Sequence, residues 1–365
     1  MTNKFKAHIP RITTDQTVPC DPSRARIIIP ARDEAKTILQ VLKYLASLGF
    51  GPNQILVIVN GVGKKATMKA ALKGKLARVI DFDGWRIPRL ESMYNLPPNK
   101  FQGKGAALLL GCILLMQDPD LAPDDPVLLL DGDLLGLKDR DPAGRLLGAF
   151  QHFQREGATV QVVKPAALAF SGRYEICIGE YESPNHIAFN TVISTDPLYY
   201  PLAALQWPNA GLACFRWSAL RSLRSATGFA CDMALMMSLL DQDPDLKDFG
   251  EVEMGFRVLH RDISEEERRF MVWQIGKFMR SLDSRTISHG LGSHDAWIAR
   301  GNKLENRTGD YWFAPEVHYE WEWERDAHQW DVRPQQNRLE TWDAILPSPS
   351  ELHSRAGDAP VIVSV

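Results

Sequence analysis

The stretch DPVLLLDGD, residues 125–133, is the most informative in the chain because an apolar strand ends on two carboxylates. Only Gly132 separates Asp131 from Asp133, so the two charges repel each other unless a positive group lies between them. Hard oxygen ligands of this kind suit Mg²⁺ or Mn²⁺ bridging a diphosphate. A plain Asp-Gly turn explains the same residues equally well, so the surrounding sequence must decide.

Apolar strands alternate with helices along the first half of the chain. Three further buried strands are predicted from apolar runs, at residues 26–30, 54–61 and 77–84. Helices are predicted between and after them, at residues 31–49, 65–76 and 103–116. This alternation predicts an α/β fold whose mixed, mainly parallel sheet is covered on both faces, with ligands at the carboxyl ends of the strands.

The second half of the chain is less regular. Strands are predicted at residues 158–166 and 249–260, and helices at residues 218–223, 231–242 and 264–282. From about residue 300 the chain is aromatic and acidic, and it ends in a polar tail. No internal repeat or low-complexity segment suggests a repeat architecture.

Composition restricts the class of protein. With 365 residues, 45% of them hydrophobic, the chain can bury a sizeable core, and a net charge of -3 gives no field that would gather nucleic acid. Five cysteines are scattered singly, without the spacing of a disulfide framework or a zinc site. The start lacks an apolar signal-like region, and the longest apolar run, residues 106–116, is too short to span a bilayer. We therefore expect a soluble cytoplasmic protein.

Two further segments accompany the carboxylate pair. QGKG (102–105) opens a helix, and its glycines let backbone N–H groups approach an anion while Lys104 adds a positive charge. IIIPARDEA (27–35) ends a strand on Pro-Ala-Arg-Asp-Glu. A helix N-cap loop explains the first segment, and a strand-to-helix turn with acids that favour the helix dipole explains the second. Each segment is weak evidence alone, whereas their order along the chain is specific.

That order resembles the nucleotide-sugar-binding half of a GT-A glycosyltransferase. A strand ending in Pro-Ala-x-x-Glu, a strand with a polar end, a GKG helix and a strand ending in Asp-x-Asp follow one another. The second half of the chain resembles retaining glucosyl-3-phosphoglycerate synthases and their mannosylglycerate and glucosylglycerate relatives. Residues 207–223 resemble the acceptor segment of that group, and residues 228–242 resemble its Gly-Tyr/Phe-x-x-acid helix. Residues 256–262 resemble its strand that ends in a metal-binding His. The resemblance spans roughly residues 26–265.

The resemblance implies a role for each matching residue. Asp131, Asp133 and His260 would bind Mg²⁺ or Mn²⁺ together with the diphosphate of a UDP- or GDP-hexose. Asp232 would hold hydroxyls of the transferred hexose, with the Gly211 backbone near the reaction centre, although a plain helix N-terminal acid explains Asp232 equally well. The donor would be bound by residues of several loops: Pro30, Ala31, Arg32, Glu34, Asn60, Lys104, Asp131, Gly132 and Asp133.

Three positions depart from the pattern of that group. Asn60 stands where an Asp commonly reads the base, which leaves UDP and GDP both open. Asp232 replaces the usual Glu and reaches one methylene less far. Asp262 replaces a neutral residue beside the acceptor phosphate, where a carboxylate would repel a phosphomonoester. We therefore expect a small, non-phosphorylated, hydroxyl-rich acceptor such as glycerate, with Arg261 pairing a carboxylate on it.

The sequence thus predicts a metal-dependent glycosyltransferase that moves a hexose to a small polar acceptor. Because no inverting-type Glu-Asp base motif is apparent, retention is expected, with a phosphate oxygen of the donor taking the acceptor proton. A sugar-phosphate nucleotidyltransferase is the alternative enzyme, but it should carry a long Gly-rich loop after the first strand. A non-catalytic nucleotide-sugar-binding regulator is the third hypothesis, and it would predict decay of the metal-binding residues.

We divide the chain into three regions. They are a flexible N-terminal arm (1–25), a GT-A catalytic domain (26–265) with a nucleotide-sugar-binding half (26–137) and an acceptor half (138–265), and a C-terminal helix with an acidic, aromatic extension (266–365). The Trp-rich segment 315–330 could fold over the cleft or form the contact of a homodimer. A plain structural cover is the simpler explanation.

Overall fold

The computed structural model describes most of the first half of the chain and selected parts of the second. The described residues are 9–13, 16–61, 63–82, 85–86, 103–141, 143–165, 211–222, 228–229, 231–243, 246–253, 321–324, 329–332, 353–354 and 362–363. The predicted helix at 264–282 lies outside them.

The described strands form one large sheet and two small pairs. They are β1 (Arg11–Ile12), β2 (Arg26–Arg32), β3 (Ile55–Asn60), β4 (Arg78–Asp81), β5 (Trp85–Arg86), β6 (Pro126–Leu130), β7 (Val162–Pro165), β8 (Leu212–Arg216), β9 (Phe249–Val252), β10 (Trp321–Glu324), β11 (Gln329–Val332), β12 (His353–Ser354) and β13 (Ile362–Val363). The large sheet has the order β1-β9-β7-β8-β6-β2-β3-β4-β13, and the pairs are β10 with β11 and β5 with β12.

Helices follow most strands of the large sheet. They are α1 (Ile38–Ser47), α2 (Lys64–Leu72), α3 (Lys104–Leu115), α4 (Leu137–Arg140), α5 (Arg145–Arg155), α6 (Trp217–Ser222) and α7 (Cys231–Gln242), with one 3₁₀ turn at Pro52–Gln54. Among the described residues, no helix combines the length and the apolar character needed to cross a bilayer.

The middle of the sheet is parallel. Strand β2 pairs in parallel with both β3 and β6, and β3 pairs in parallel with β4. Every residue of β3 and β6 is buried, as expected for strands that are covered by helices on both faces. The predicted α/β fold with a mainly parallel sheet is therefore confirmed.

Strand β8 runs in the opposite direction to its two neighbours, so it begins at the edge of the sheet where they end. It is antiparallel to β6 and to β7, and Leu130 at the end of β6 lies opposite Leu212 at the start of β8. Strand β7 in turn pairs in parallel with β9. The residue before β8 therefore lies at the same edge as the carboxyl ends of β6 and β7.

The two faces of the sheet are covered differently. Helices α1 and α5 share one apolar cluster with the side chains of Ile27 and Ile29. Helix α3 packs on the opposite face, where every residue after Lys104 is buried. A Cβ on Gly111 would lie 2.5 Å from Ile28 Cγ2, so glycine is needed for this close approach. This tight packing holds α3 against the sheet.

The described part of the N-terminal arm, residues 9–13 and 16–25, is more ordered than predicted. We expected residues 1–25 to be flexible, but Ile9 and Ile12 are buried and β1 pairs with β9. The backbone N–H of Cys20 also donates to the Ala143 carbonyl oxygen at 3.1 Å. The physical reason is that β9 would otherwise expose unpaired backbone groups, which two residues of the arm satisfy.

Candidate functional site

The loop after β6 carries the predicted carboxylate pair to the edge of the sheet. Asp131 and Asp133 both lie in this loop, with Gly132 buried between them. The backbone N–H of Asp131 donates to the Gly211 carbonyl oxygen at 2.9 Å. The loop after β6 is therefore tied to the start of β8, which explains why Asp131 and Gly211 meet although 80 residues separate them.

Lys104 joins two carboxylates that lie far apart in the sequence. Its Nζ lies 2.8 Å from Asp131 Oδ1 and 2.6 Å from Asp232 Oδ2. Burial opposes the charged form of Lys104, but the two carboxylates outweigh burial and hold its pKa well above the ordinary value. Lys104 therefore stays protonated. We refer to Lys104, Asp131 and Asp232 together as the Lys104 cluster.

The GKG segment orients Lys104 through hydrogen bonds on both sides. Gly103 has φ +112°, a conformation that favours glycine, and Lys104 is the first residue of α3. The Asn60 side-chain amide donates to the Gly103 carbonyl oxygen at 3.0 Å, and the Gly105 N–H donates to the Gly228 carbonyl oxygen at 3.2 Å. Asn60, predicted to contact the base, is buried and supports the loop that carries Lys104.

Asp232 lies at the start of a helix and also forms an ion pair beside Asp131. It lies in the first turn of α7, where an acid interacts favourably with the helix dipole. Its carboxylate also forms an ion pair with Lys104 and lines the same cavity as Asp131. The structure therefore brings Asp232 close to Asp131 and Lys104, although it lies 128 positions after Lys104 in the sequence.

Glu34 is a buried part of the loop after β2. The Thr37 hydroxyl lies 2.8 Å from Glu34 Oε2 and 2.9 Å from the Gly132 carbonyl oxygen. Thr37 and Glu34 are both less than one-tenth exposed. Thr37 therefore links the loop after β2 to the loop after β6.

The other predicted donor-binding residues of β2 lie beside this loop. Pro30 lines the cavity described below, and Ala31 is buried. Arg32 pairs in register with Asn60, and its Nε lies 3.7 Å from Asp33 Oδ2. Both strand ends thus reach the same edge of the sheet as Asp131.

Gly211 makes the closest backbone approach in the site. A Cβ at this position would lie 1.6 Å from Asp131 Oδ2, so the carboxylate occupies the space that any side chain would need. Glycine at position 211 is therefore required for the present orientation of Asp131.

A small cavity of about 10 Å³, room for about one water molecule, lies beside the Lys104 cluster. Its charged lining consists of Lys104, Asp131, Asp232 and Lys164, and its apolar lining comes from β2, β6, β8, α3 and α7. The cavity is too small for a sugar, so a donor must displace some of these side chains or bind outside them.

Lys164, near the end of β7, is a lining residue that we did not predict. It is 2% exposed, and burial lowers its pKa to about 8 even though Asp232 and Asp131 act in the opposite direction. The signal that could have found it is a lysine near the end of the predicted strand 158–166. Charged residues are rarely buried in a strand unless they are paired.

The oxygen ligands in the loop after β6 are of the kind that binds a divalent cation. Asp131 and Asp133 supply hard carboxylate oxygens, and Asp131 already holds a positive group, the Lys104 ammonium. Among the described residues, no group of three or more His, Cys, Asp or Glu side chains could hold a metal ion. The predicted third ligand, His260, lies outside the described residues, as do Arg261 and Asp262.

Comparison with known proteins bears on the fold. No family model matches the sequence, and no curated protein matches it. Glucosyl-3-phosphoglycerate synthase from Mycobacterium tuberculosis, in complex with Mn²⁺, UDP-glucose and phosphoglyceric acid, matches with 21% identity and a TM-score of 0.51. The match covers 70% of this chain and 78% of that chain.

A second structure of that synthase gives the same result. In complex with Mn²⁺, UDP and glucosyl-3-phosphoglycerate, it matches with 21% identity, a TM-score of 0.51 and coverage of 70% of this chain and 78% of that chain. Likeness at this identity concerns the fold. The GT-A fold that the sequence resemblance implied is therefore confirmed, with the Lys104 cluster at the edge of the sheet where β6 ends.

Proposed function

We propose that this protein is a glycosyltransferase that moves a hexose from a nucleotide-diphosphate sugar to a small polar hydroxyl acceptor, with Mg²⁺ or Mn²⁺ as cofactor. The observation that carries the proposal is the Lys104 cluster, which places one ammonium between two carboxylates at the ligand-binding edge of a GT-A sheet. The similar synthase was solved with Mn²⁺ and UDP-glucose, which supports these ligands as the first to test. We assign the catalytic unit to residues 26–265.

The diphosphate of the donor would lie against Asp131, Asp133 and Lys104. Asp131 and Asp133 would hold the cation, with His260 as the proposed third ligand. The bound cation would supply neutralisation of the negative charge that develops on the leaving diphosphate. Lys104 lies 2.8 Å from Asp131 and would add its own charge to the same diphosphate by a charge-assisted hydrogen bond.

Asp232 would bind the transferred hexose. An ionised carboxylate offers about four acceptor positions, and Lys104 engages Asp232 through Oδ2. The remaining acceptor capacity suits sugar hydroxyls. Because Lys104 already engages one oxygen of Asp232, we assign this carboxylate to sugar binding and not to proton transfer.

We infer that the reaction retains the configuration of the donor. The acceptor oxygen would attack the anomeric carbon on the face from which the diphosphate leaves, and a phosphate oxygen of the leaving group would take the acceptor proton. The bond from the anomeric carbon to the diphosphate breaks as the bond to the acceptor forms. Proton NMR of the fresh product tests this step, since inversion of an α-gluco donor would give a β-anomeric coupling.

Thermal unfolding with UDP-, GDP- and ADP-sugars, each with and without Mn²⁺, tests the donor assignment. A ligand that binds only the folded state raises the midpoint of unfolding. We expect a UDP- or GDP-hexose to raise it, and Mn²⁺ to increase the shift. The absence of a shift with every sugar nucleotide, together with the absence of transfer, would contradict the proposed function.

The acceptor is tested by comparing glycerate with 3-phosphoglycerate. The similar synthase was solved with phosphoglyceric acid, whereas Asp262 of this chain would repel a phosphomonoester. We propose a non-phosphorylated acceptor whose carboxylate pairs with Arg261. Clear preference for the phosphorylated compound would show that this charge argument is wrong.

A further inference from the structure

Asp33 has a backbone conformation that is uncommon for residues other than glycine. Its φ is +58°, in the left-handed region, which Asp adopts more readily than most residues. It lies between Arg32 and Glu34, two residues assigned above to the donor site. Among the described residues, the other non-glycine residues with a positive φ are Lys75 and Leu246. Conformations of this kind persist where the surrounding structure holds them, often at ligand sites, so the contacts of Asp33 bear on its function.

The side chain of Asp33 crosses to the loop after β3. Its Oδ1 accepts the backbone N–H of Gly63 at 2.8 Å. A Cβ on Gly63 would lie 2.0 Å from the same oxygen, whereas the φ of Gly63, −79°, is one that any residue can adopt. Glycine at position 63 is therefore required by the approach of the carboxylate and not by the backbone.

The side chain of Arg32 makes a second contact between the same two loops. A Cβ on Gly61 would lie 2.8 Å from Arg32 Cγ, so the stem of Arg32 packs directly against this glycine. Asp33 Oδ2 lies 3.7 Å from Arg32 Nε, so one carboxylate faces Gly63 with one oxygen and the Arg32 guanidinium with the other. The side chain of Arg32 is 20% exposed, which leaves it within reach of a ligand.

We propose that Asp33 is a positioning residue for donor binding, which holds the loop after β2 and the loop after β3 at a fixed distance from each other. Arg32 and Asn60, the donor residues that end these two strands, pair in register and would then meet the nucleotide together. The inference rests on the proposed function, because it concerns where the nucleotide binds.

A purely structural role for Asp33 is the alternative. Gly63 directly precedes α2, so the Asp33 carboxylate also lies at the start of that helix, where a negative charge is favourable. An acid that only stabilises α2 would contribute to the free energy of unfolding and leave the affinity for the nucleotide unchanged. The two roles therefore differ in a quantity that can be measured.

The first experiment needs no ligand. Hydrogen exchange of the Gly63 amide is followed by NMR in the wild type, Asp33→Asn, Asp33→Gly and Lys75→Gly. Asn tolerates a positive φ and keeps an oxygen for the Gly63 N–H, so exchange should stay slow. Gly also tolerates this φ but offers no acceptor, so Asp33→Gly should speed exchange by about 10-fold. Equal rates in Asp33→Gly and the wild type would overturn the proposal.

Lys75→Gly is the matched control. Lys75 has φ +54° and is exposed, and it lies between α2 and β4 at the edge of the sheet where the parallel strands begin. The substitution therefore gives glycine to a second left-handed position far from the donor residues. It should change neither the exchange of the Gly63 amide nor the affinity for a nucleotide.

The second experiment measures the affinity of the same four proteins. Calorimetry with Mn²⁺ is run for UDP and UDP-glucose, or for GDP and GDP-glucose if only these raise the midpoint of thermal unfolding. Asp33→Gly should weaken the nucleotide and the sugar nucleotide equally, by about 10-fold, because the loss concerns the loops that would meet the nucleotide. Asp33→Asn should stay within about threefold of the wild type, because its amide oxygen still accepts the Gly63 N–H.

Gly63→Ala tests the same contact from the other side. The new Cβ would displace the Asp33 carboxylate and leave its charge in place, so the loss of affinity should match that of Asp33→Gly. If one of these two variants does not fold, the other decides, since each removes the contact by a different change.

Two results would overturn the proposal. Unchanged affinity in Asp33→Gly and Gly63→Ala would show that Asp33 only stabilises α2. A full loss of affinity in Asp33→Asn would show that its charge, and not its hydrogen bond to Gly63, matters for the donor. If the wild type binds none of these nucleotides, the proposed function fails and the donor role of Asp33 with it, whereas the exchange experiment still decides whether Asp33 holds the loop after β3.

Discussion

The Lys104 cluster and the buried acid Asp141 differ in the kind of partner that satisfies the carboxylate. Asp141 accepts the backbone N–H of Arg145 at 3.0 Å and 2.9 Å through its two oxygens, and the Tyr44 hydroxyl at 3.1 Å. Asp131 and Asp232 instead share the flexible side chain of Lys104. Asp141 is buried, whereas the side chains of Asp131 and Asp232 are about one-fifth exposed, and the partners of these acids also differ in how freely they can move.

This difference separates a structural acid from acids at a ligand site. The backbone N–H groups at the start of α5 cannot leave Asp141 unless the helix unfolds, so Asp141 belongs to the fold. A lysine side chain can rotate away, which allows Asp131 and Asp232 to exchange it for a ligand. Substitutions at the two places should therefore act on different quantities, turnover at one and the free energy of unfolding at the other.

The largest effect is expected for Asp131→Asn. The amide keeps the shape of the carboxylate but removes the charge that would hold a divalent cation, so transfer should fall by roughly 1000-fold. Asp133→Asn should act in the same direction, and EDTA should mimic both substitutions. Initial rates with saturating Mn²⁺ measure the effect.

The control for this prediction is the free energy of unfolding. It should change little in Asp131→Asn, because Lys104 retains Asp232 at 2.6 Å. Full activity in metal-free buffer would contradict the assignment of Asp131 to the ligand site.

A somewhat smaller effect is expected for Gly211→Ala. The new Cβ would lie 1.6 Å from Asp131 Oδ2, so the carboxylate or the start of β8 must move. Displacement of about 1 Å in a catalytic site can lower turnover by roughly 100-fold, and we expect a loss of that order. Gly51→Ala is the matched control, since its Cβ would lie an ordinary 3.5 Å from Gln54 Oε1. Equal activity of the two variants would show that the orientation of Asp131 is unimportant.

Lys104→Met should weaken donor binding by about 10-fold, measured by calorimetry with Mn²⁺ and the sugar nucleotide, because one charge-assisted hydrogen bond to the diphosphate is lost. The sequence analysis assigned this lysine to donor binding. Its two ion pairs now predict a loss of stability as well, so affinity must be measured where the variant is folded. Unchanged affinity would show that Lys104, like Asp141, stabilises the fold and does not bind the donor.

The strands of the central sheet were predictable because they are apolar throughout and each carries its own signal. Strand β8 and helix α5 are not among the predicted elements. The run LACFR of β8 follows a Gly and leads directly into α6, so it gives no separate signal in the sequence. Its antiparallel pairing with β6 and β7 depends on strand order, which local patterns do not contain.

The residues of the candidate site could be predicted from the sequence better than the contacts between them. Asp131 and Lys104 were identified from their local sequence and Asp232 from the resemblance, and the structure brings the three together. Their mutual ion pairs join residues 27 and 128 positions apart, which no local periodicity encodes. Lys164 was missed for the same reason, because only the placement of β7 beside β8 carries it to the cavity.

The smallest effect is expected for Tyr44→Phe, which tests the structural side of the comparison. The substitution removes one hydroxyl donor from Asp141 while both Arg145 hydrogen bonds remain, so the free energy of unfolding should fall by about 1 kcal/mol. Chemical denaturation measures this change. Donor affinity should equal that of the wild type, and a reduced affinity would mean that the two acid clusters are coupled.

The loss of unfolding free energy in Tyr44→Phe should depend on pH. Burial raises the pKa of Asp141, whereas the Arg145 N–H and the Tyr44 hydroxyl act to lower it. Because its folded pKa is raised, the contribution of Asp141 to stability is present below its unfolded pKa and is lost as the pH rises through the folded pKa. The Tyr44 hydroxyl reduces that loss by stabilising the ionised carboxylate. The difference between wild type and Tyr44→Phe should therefore be larger at pH 7 than after acidification through the raised pKa, and a difference that grows on acidification would contradict the assignment.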